Sequence, residues 1–213
     1  MFILWCLNNK KNDFMKKKLL LSLWFTFLLA AIGYLFWQNE FQYSLPTPIP
    51  KNYHAIAMGS KIELGPCCAF DNKPIFIHFF NPECPCSRFN VPHVSSLIKK
   101  YGDRINFKIV VLNKQKNFTI DEIQQKFDAK IPVYFDEAIA KKCGVFSTPQ
   151  AVLLDQSHDL YYRGNYNKTR YCTDAQSNYA QMAIDSLLSR KNNPTFNALA
   201  LKAYGCSLPK CTK

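Results

Sequence analysis

Eight cysteines follow residue 60: Cys67, Cys68, Cys84, Cys86, Cys143, Cys172, Cys206 and Cys211. Thiols at this density staple a fold, hold a soft metal or exchange disulfides. Too many pairings are open for the sequence alone to fix one. Cys67, Cys68 and Cys211 read as structural staples, and no pair of CxxC knuckles supports a zinc site. Cys84 stands apart through its surroundings, Asn81-Pro82-Glu83-Cys84-Pro85-Cys86-Ser87-Arg88. It follows an apolar β-type run and precedes a helical one. At a helix start, unpaired N–H groups stabilise a thiolate and lower its pKa. Arg88, one turn on, adds positive charge, while the carboxylate of Glu83 opposes the thiolate and is expected to turn to solvent. His78 sits within the apolar run. Such an imidazole is ordinarily a hydrogen-bonded core residue, but it also titrates where a proton relay would need it.

The elements that must position these residues read as follows. Pro74 opens IFIHFF, a buried strand. Ser87 to Tyr101 is helical, with Phe89, Val94, Leu97, Ile98 and Tyr101 on one face and Gly102 as its stop. Ile105 to Leu112 is a second strand. Thr119 and Glu122 form a capping box for a helix whose inner face is Ile120, Ile123 and Phe127. Pro132 to Phe135 is a short strand and Glu137 to Cys143 a short helix, with Cys143 inside the domain. Ala151 to Leu154 and Leu160 to Arg163 flank a turn and form a hairpin. Ser177 to Arg190 closes the domain as an amphipathic helix. The order is βαβα, a short βα piece, then ββα, which predicts an α/β sandwich with a mixed central sheet. The tail containing Gly205 and Pro209 takes no place in this scheme.

Ahead of the domain, Leu19 to Trp37 is an uncharged apolar run of 19 residues, about 28 Å of helix, enough for one hydrocarbon core. Lys10, Lys11, Lys16, Lys17 and Lys18 precede it, which puts the N-terminus, with Cys6, in the cytoplasm. A cleaved signal peptide is the rival reading, but Tyr34, Leu35, Phe36 and Trp37 continue the run as an interfacial anchor would. The predicted organisation is a basic segment (1–18), a transmembrane anchor (19–37), a Pro-containing spacer (38–50) and the domain (51–213). The net charge of +12 is partly this lysine cluster; the rest is spread without an aromatic-basic motif. Nucleic acid is excluded as a partner.

The segment FIHFFNPECPCSRFNVP, the Ser147-Thr148-Pro149 triplet before AVLLD, and YYRGNY resemble the thioredoxin superfamily, specifically TlpA-like membrane-anchored thiol-disulfide oxidoreductases. The resemblance covers residues 74–190 and implies a thioredoxin-like sandwich. It makes Cys84 the first position of the family's CxxC and Ser87 the second, so a serine stands where the resolving cysteine should be. His78 replaces the usual buried acid, and Glu83 the usual aromatic. It further implies a cis peptide at Pro149 whose backbone faces the nucleophile and pairs with an extended substrate. Thr148, Pro149, Pro85, Ser87 and Arg88 would then contact that substrate. With Ser87 unable to resolve a mixed disulfide, three cysteines are in contention, in the order Cys86, Cys172 and Cys206. Cys86 is nearest but closes a tight ring. Cys172 is carried toward the site by the loop after the hairpin, and Cys206 lies in a tail that can fold back.

The expected function is thiol-disulfide exchange on envelope protein thiols or disulfides through Cys84, with a separate redox partner and no cofactor or resident metal. The location implied is a bacterial inner membrane, single-pass, with the domain in the periplasm. A copper(I) module using Cys84 and Cys86 is the non-enzymatic alternative; His93 is close in sequence but reads as facing solvent or packing on its helix. A thioredoxin-fold peroxidase would need Pro at position 77 and Thr or Ser at 81, which are Ile77 and Asn81. A structural domain with vestigial chemistry is the remaining reading.

Overall fold

The computed structural model describes residues 2–65, 72–113, 116–190 and 195–208, with side chains described from residue 14 onward. Cys67, Cys68 and Cys211 lie outside the described residues. The chain divides into two units, residues 1–42 and 43–213.

In the first unit, α1 (Phe2–Phe36) runs on through a π-helical stretch (Trp37–Phe41) toward α2 (Gln42–Ser44). The segment Phe14–Ser44 is long and apolar enough to cross a membrane. Leu20, Trp24, Phe27 and Ile32 are each more than 60% exposed. A helix apolar on all sides is the kind that a lipid core could surround.

The second unit is built on a five-stranded sheet of order β3-β2-β1-β5-β6. The strands are β1 (Ile75–Phe80), β2 (Asn106–Val111), β3 (Val133–Tyr134), β5 (Gln150–Leu154) and β6 (Leu160–Gly164). β1, β2 and β3 are parallel, while β5 runs antiparallel to β1 and β6 antiparallel to β5. β1 is buried at all six residues, as a central strand covered on both faces must be. Phe76 and Phe80 face α3 (Pro85–Tyr101), α4 (Ile120–Phe127) and α6 (Tyr179–Leu188). Ile75, Ile77 and Phe79 face α5 (Glu137–Lys142) and the strand-like segment containing Ile62 and Leu64. This is the thioredoxin-like α/β sandwich with a mixed central sheet.

Local chemistry fixes the ends of these elements. Thr119 and Glu122 complete the capping box reciprocally, at 3.2 Å and 2.8 Å. In the hairpin turn, the Asp155 carboxylate accepts from the N–H groups of Ser157 and Asp159 at 2.8 Å and 2.9 Å. Two inner-face expectations are corrected. Phe89 is 44% exposed and packs on Tyr171, and Ile120, in the first turn of α4, is 49% exposed. The apolar spacing runs one turn beyond the buried stripe in both helices.

The tail that sequence periodicity could not place is ordered. α7 (Ala198–Leu201) leads into β7 (Cys206–Ser207), which pairs antiparallel with β4 (Ser147–Thr148) as a separate two-stranded sheet. Asn165 holds the tail: its N–H donates to the Ala200 carbonyl at 2.8 Å, and its side-chain amide donates to the carbonyls of Leu199 and Lys202. Thr47, inside the segment read as a spacer, is buried and grips the tail from the other side. Its N–H donates to the Ala203 carbonyl at 2.8 Å and its hydroxyl to the Gly205 carbonyl at 3.1 Å.

Candidate functional site

The loop leaving β1 is built to hold Cys84 at the start of α3. Asn81 is buried, and its side-chain oxygen accepts from the Glu83 N–H and the Asn113 amide, both at 3.0 Å. Its carbonyl accepts from the Cys84 N–H at 3.1 Å, and its own N–H donates to the Ser87 hydroxyl at 3.3 Å. Cys84 is the N-cap of the 17-residue α3, with Pro85 as the first helical residue. Pro there has no N–H to orphan and is pre-set for helical φ. Glu83 is exposed and accepts from the Asn113 amide at 2.9 Å, turned away from the sulfur as expected.

Three elements converge on Cys84. The Thr148–Pro149 peptide is cis, and the Thr148 carbonyl oxygen lies 3.6 Å from Cys84 Sγ. β7 lies along β4 with Thr148 opposite Cys206. Cys206 is disulfide-bonded to Cys84 across 122 residues of sequence, with their Cα atoms 6.5 Å apart. The tail reaches this position because residue 205 is glycine: its φ is +134°, and a Cβ there would run into the Thr148 carbonyl. The sulfur of Cys86 completes a group of three, all within 4.8 Å of one another. All three cysteines are essentially buried, at 0%, 2% and 1% exposure for Cys84, Cys86 and Cys206.

The sequence order of resolving cysteines, Cys86 then Cys172 then Cys206, is therefore corrected: the last-placed one holds the bond to Cys84. Cys86 follows two positions after the N-cap, and a ring between them would have to close inside the first helical turn. Cys206 arrives on a separate strand without that constraint. The Cys172 thiol donates to the Asn90 side-chain oxygen at 3.4 Å. Burial, reinforced by the neighbouring Cys86, pushes its pKa up to about 12. It stays protonated at neutral pH and is a poor nucleophile. Cys143 is buried at the C-terminal end of α5, on the opposite face of the sheet. Ser87 is buried beside the nucleophile loop, Pro85 is half-buried, and Arg88 is exposed.

His78 is buried in the core. Its Nδ1 shares a 2.7 Å hydrogen bond with the Tyr166 hydroxyl, and the rings of Phe80 and Phe127 lie 5.4 Å from its own. Burial, with a smaller contribution from the charge of His93, lowers its pKa to about 3. The imidazole is thus neutral, and its recorded partner is Tyr166 rather than a sulfur. His93 is half-buried with its ring nearly perpendicular to that of Tyr166, and burial lowers its pKa too. His93 does not belong to the three-sulfur group, in which Cys206 stands beside Cys84 and Cys86.

The neutral His78 carries a pH prediction. Its folded pKa of about 3 lies below the ordinary 6.5, so the unfolded chain takes up a proton that the folded chain refuses. The stability this represents is complete above pH 6.5 and drains as the pH falls toward 3, at about 1.4 kcal/mol per unit. Unfolding free energies from denaturant titrations at pH 7 and pH 5 should therefore differ by about 2 kcal/mol more in the wild type than in His78→Gln. Equal pH dependence in the two chains would remove His78 as the cause.

Two solved structures share this fold with TM-scores above 0.5. A hypothetical protein from Sinorhizobium meliloti superposes with a TM-score of 0.60 at 17% identity, over 74% of this chain and 96% of its own. An uncharacterized conserved protein from Geobacillus kaustophilus gives 0.57 at 16% identity, over 76% and 97%. A thioredoxin-like protein solved in solution in its oxidized form gives 0.46 at 18% identity, over 69% and 98%. No curated protein matches the sequence. Residues 55–209, which take in the nucleophile loop, the cis-proline and the tail cysteine, match one family throughout. The chain belongs to that family, described as Domain of unknown function (DUF6436).

Proposed function

We propose that the protein is a thiol-disulfide oxidoreductase whose redox couple is Cys84 and Cys206. The observation that carries this reading is the Cys84–Cys206 disulfide set against the cis-Pro149 loop. In the reduced chain, the helix start favours the Cys84 thiolate. That thiolate attacks one sulfur of a substrate disulfide, forming a mixed disulfide and expelling the other substrate sulfur as thiolate. The Cys206 thiolate then attacks Cys84 Sγ, releases the first substrate sulfur and leaves Cys84–Cys206 closed. Two electrons have passed from the protein to the substrate, and each step is reversible. Because both sulfurs are buried in the closed state, a partner reaches Cys84 only when β7 lifts from β4.

The apolar helix at residues 19–37, with the lysines before it, supports single-pass anchoring in a bacterial inner membrane. The domain from residue 51 would then work on envelope proteins in the periplasm, re-poised by a separate thiol partner. The test is a redox titration of the full chain in detergent, with alkylation and peptide mapping at each potential. Cys84–Cys206 should open reversibly in the range of dithiol and glutathione buffers, before any pair that staples the fold. If it stays closed until the chain is denatured, the bond is a staple and the reading fails.

A further inference from the structure

The three-sulfur group has a second capacity in its reduced state, beyond disulfide exchange. We infer that Cys84, Cys86 and Cys206, once the disulfide is opened, form a buried trigonal thiolate site for one copper(I) ion.

The donor set selects the ion. All three ligands are soft sulfurs, and among the described residues no carboxylate or imidazole joins the group. Hard cations such as magnesium and calcium take oxygen ligands and find too few here. Zinc closes a structural site with four ligands, whereas this group offers three. A three-sulfur set suits soft, monovalent copper. The geometry is within reach: an ion about 2.3 Å from each of three coplanar sulfurs sets them about 4 Å apart, and these three lie within 4.8 Å of one another. Their burial keeps oxidants and water from the ion.

The charge is also provided for. Thiolates around a monovalent ion leave net negative charge in a dry site, which is costly without compensation. The N-terminal end of α3 points its partial positive charge at Cys84. Tyr43 packs directly on the three cysteines, and the Arg170 guanidinium stacks 4.7 Å from the centre of its ring.

Binding and disulfide formation compete for the same sulfurs. A dithiol donor delivers two electrons and two protons to Cys84–Cys206 and itself becomes a disulfide. Copper(I) then displaces the thiol protons to solvent. The oxidised chain has two of the three ligands consumed in the S–S bond and binds none.

The experiment uses the full chain in detergent, reduced with a phosphine and desalted without oxygen, with copper(I) supplied from a chromophoric chelator. The reduced chain should take one copper(I) per molecule and the oxidised chain none. Cys86→Ser and Cys206→Ser should each weaken uptake at least tenfold, while Cys143→Ser should not. Mass mapping of alkylation in the wild-type chain gives an answer that needs no variant: copper(I) should shield Cys84, Cys86 and Cys206 together. Absence of uptake, equal uptake by the oxidised chain, or shielding only of other cysteines would overturn the site. Disulfide exchange without copper is measured in parallel. Exchange without copper binding removes this inference alone, and copper binding without exchange removes the proposed function alone.

Discussion

Cys84→Ser should lower disulfide exchange by at least about a hundredfold, the scale on which an activated nucleophile is missed. Cys206→Ser should behave differently. Its Cys84 still attacks, but release of the mixed disulfide loses its resolving thiol, so covalent adducts with substrate build up. The asymmetry follows from position. Cys84 sits at the start of a 17-residue helix, while Cys206 sits on a short strand with no such field. Non-reducing gels of full-chain Cys206→Ser, probed for adducts that vanish in the double variant with Cys84→Ser, check the assignment. Cys143→Ser, altered on the other face of the sheet, should exchange normally. Adducts that form equally in Cys84→Ser would place the nucleophile elsewhere.

The second large effect is on stability. The Cys84–Cys206 bond closes a loop of 122 residues, nearly the whole sandwich. On the chain-entropy account, such a cross-link removes about 5 kcal/mol of freedom from the unfolded state. For a domain of this size each kcal/mol moves the melting temperature by about 2–4 °C. Reduction should therefore lower the melting temperature by roughly 10 °C or more, followed by near-UV circular dichroism. Cys206→Ser should melt near the reduced wild type whatever the redox buffer. If oxidised and reduced chains melt within about 2 °C of each other, the loop does not constrain the unfolded chain as this account requires.

Much of the scaffold was legible because its signals are local. IFIHFF declared a strand buried on both faces, Thr119 and Glu122 declared a helix start, and Asp155 to Asp159 declared a turn. Cys84 was legible for the same reason: an apolar strand, a proline and a helical stripe surround it within a few residues. The bond to Cys206 was not. β4 and β7 are two residues each, too short for a period, and they meet across about sixty residues of sequence. Their pairing is enforced by Gly205 against Thr148, by Asn165 and by Thr47, none of which announces a strand. Cys172 misled for an opposite reason. The topology does carry its loop to the neighbourhood of Cys86, but burial there keeps the thiol protonated, and burial is invisible in spacing.

The grip of Thr47 on the tail has a mechanical side. Tyr43 packs on the three cysteines, and just after it residues 46 and 47 join the domain at the tail: Pro46 bridges to Tyr204, and both Thr47 hydrogen bonds end on Ala203 and Gly205. Tension carried along the chain into residue 43 therefore arrives at Tyr43 and these few contacts before it reaches the five-stranded sheet. The tail residues on which the Pro46 and Thr47 contacts end lie within three residues of Cys206. A pull on the chain ahead of residue 43 would load this corner first, so the first contacts to carry force adjoin the Cys84–Cys206 bond.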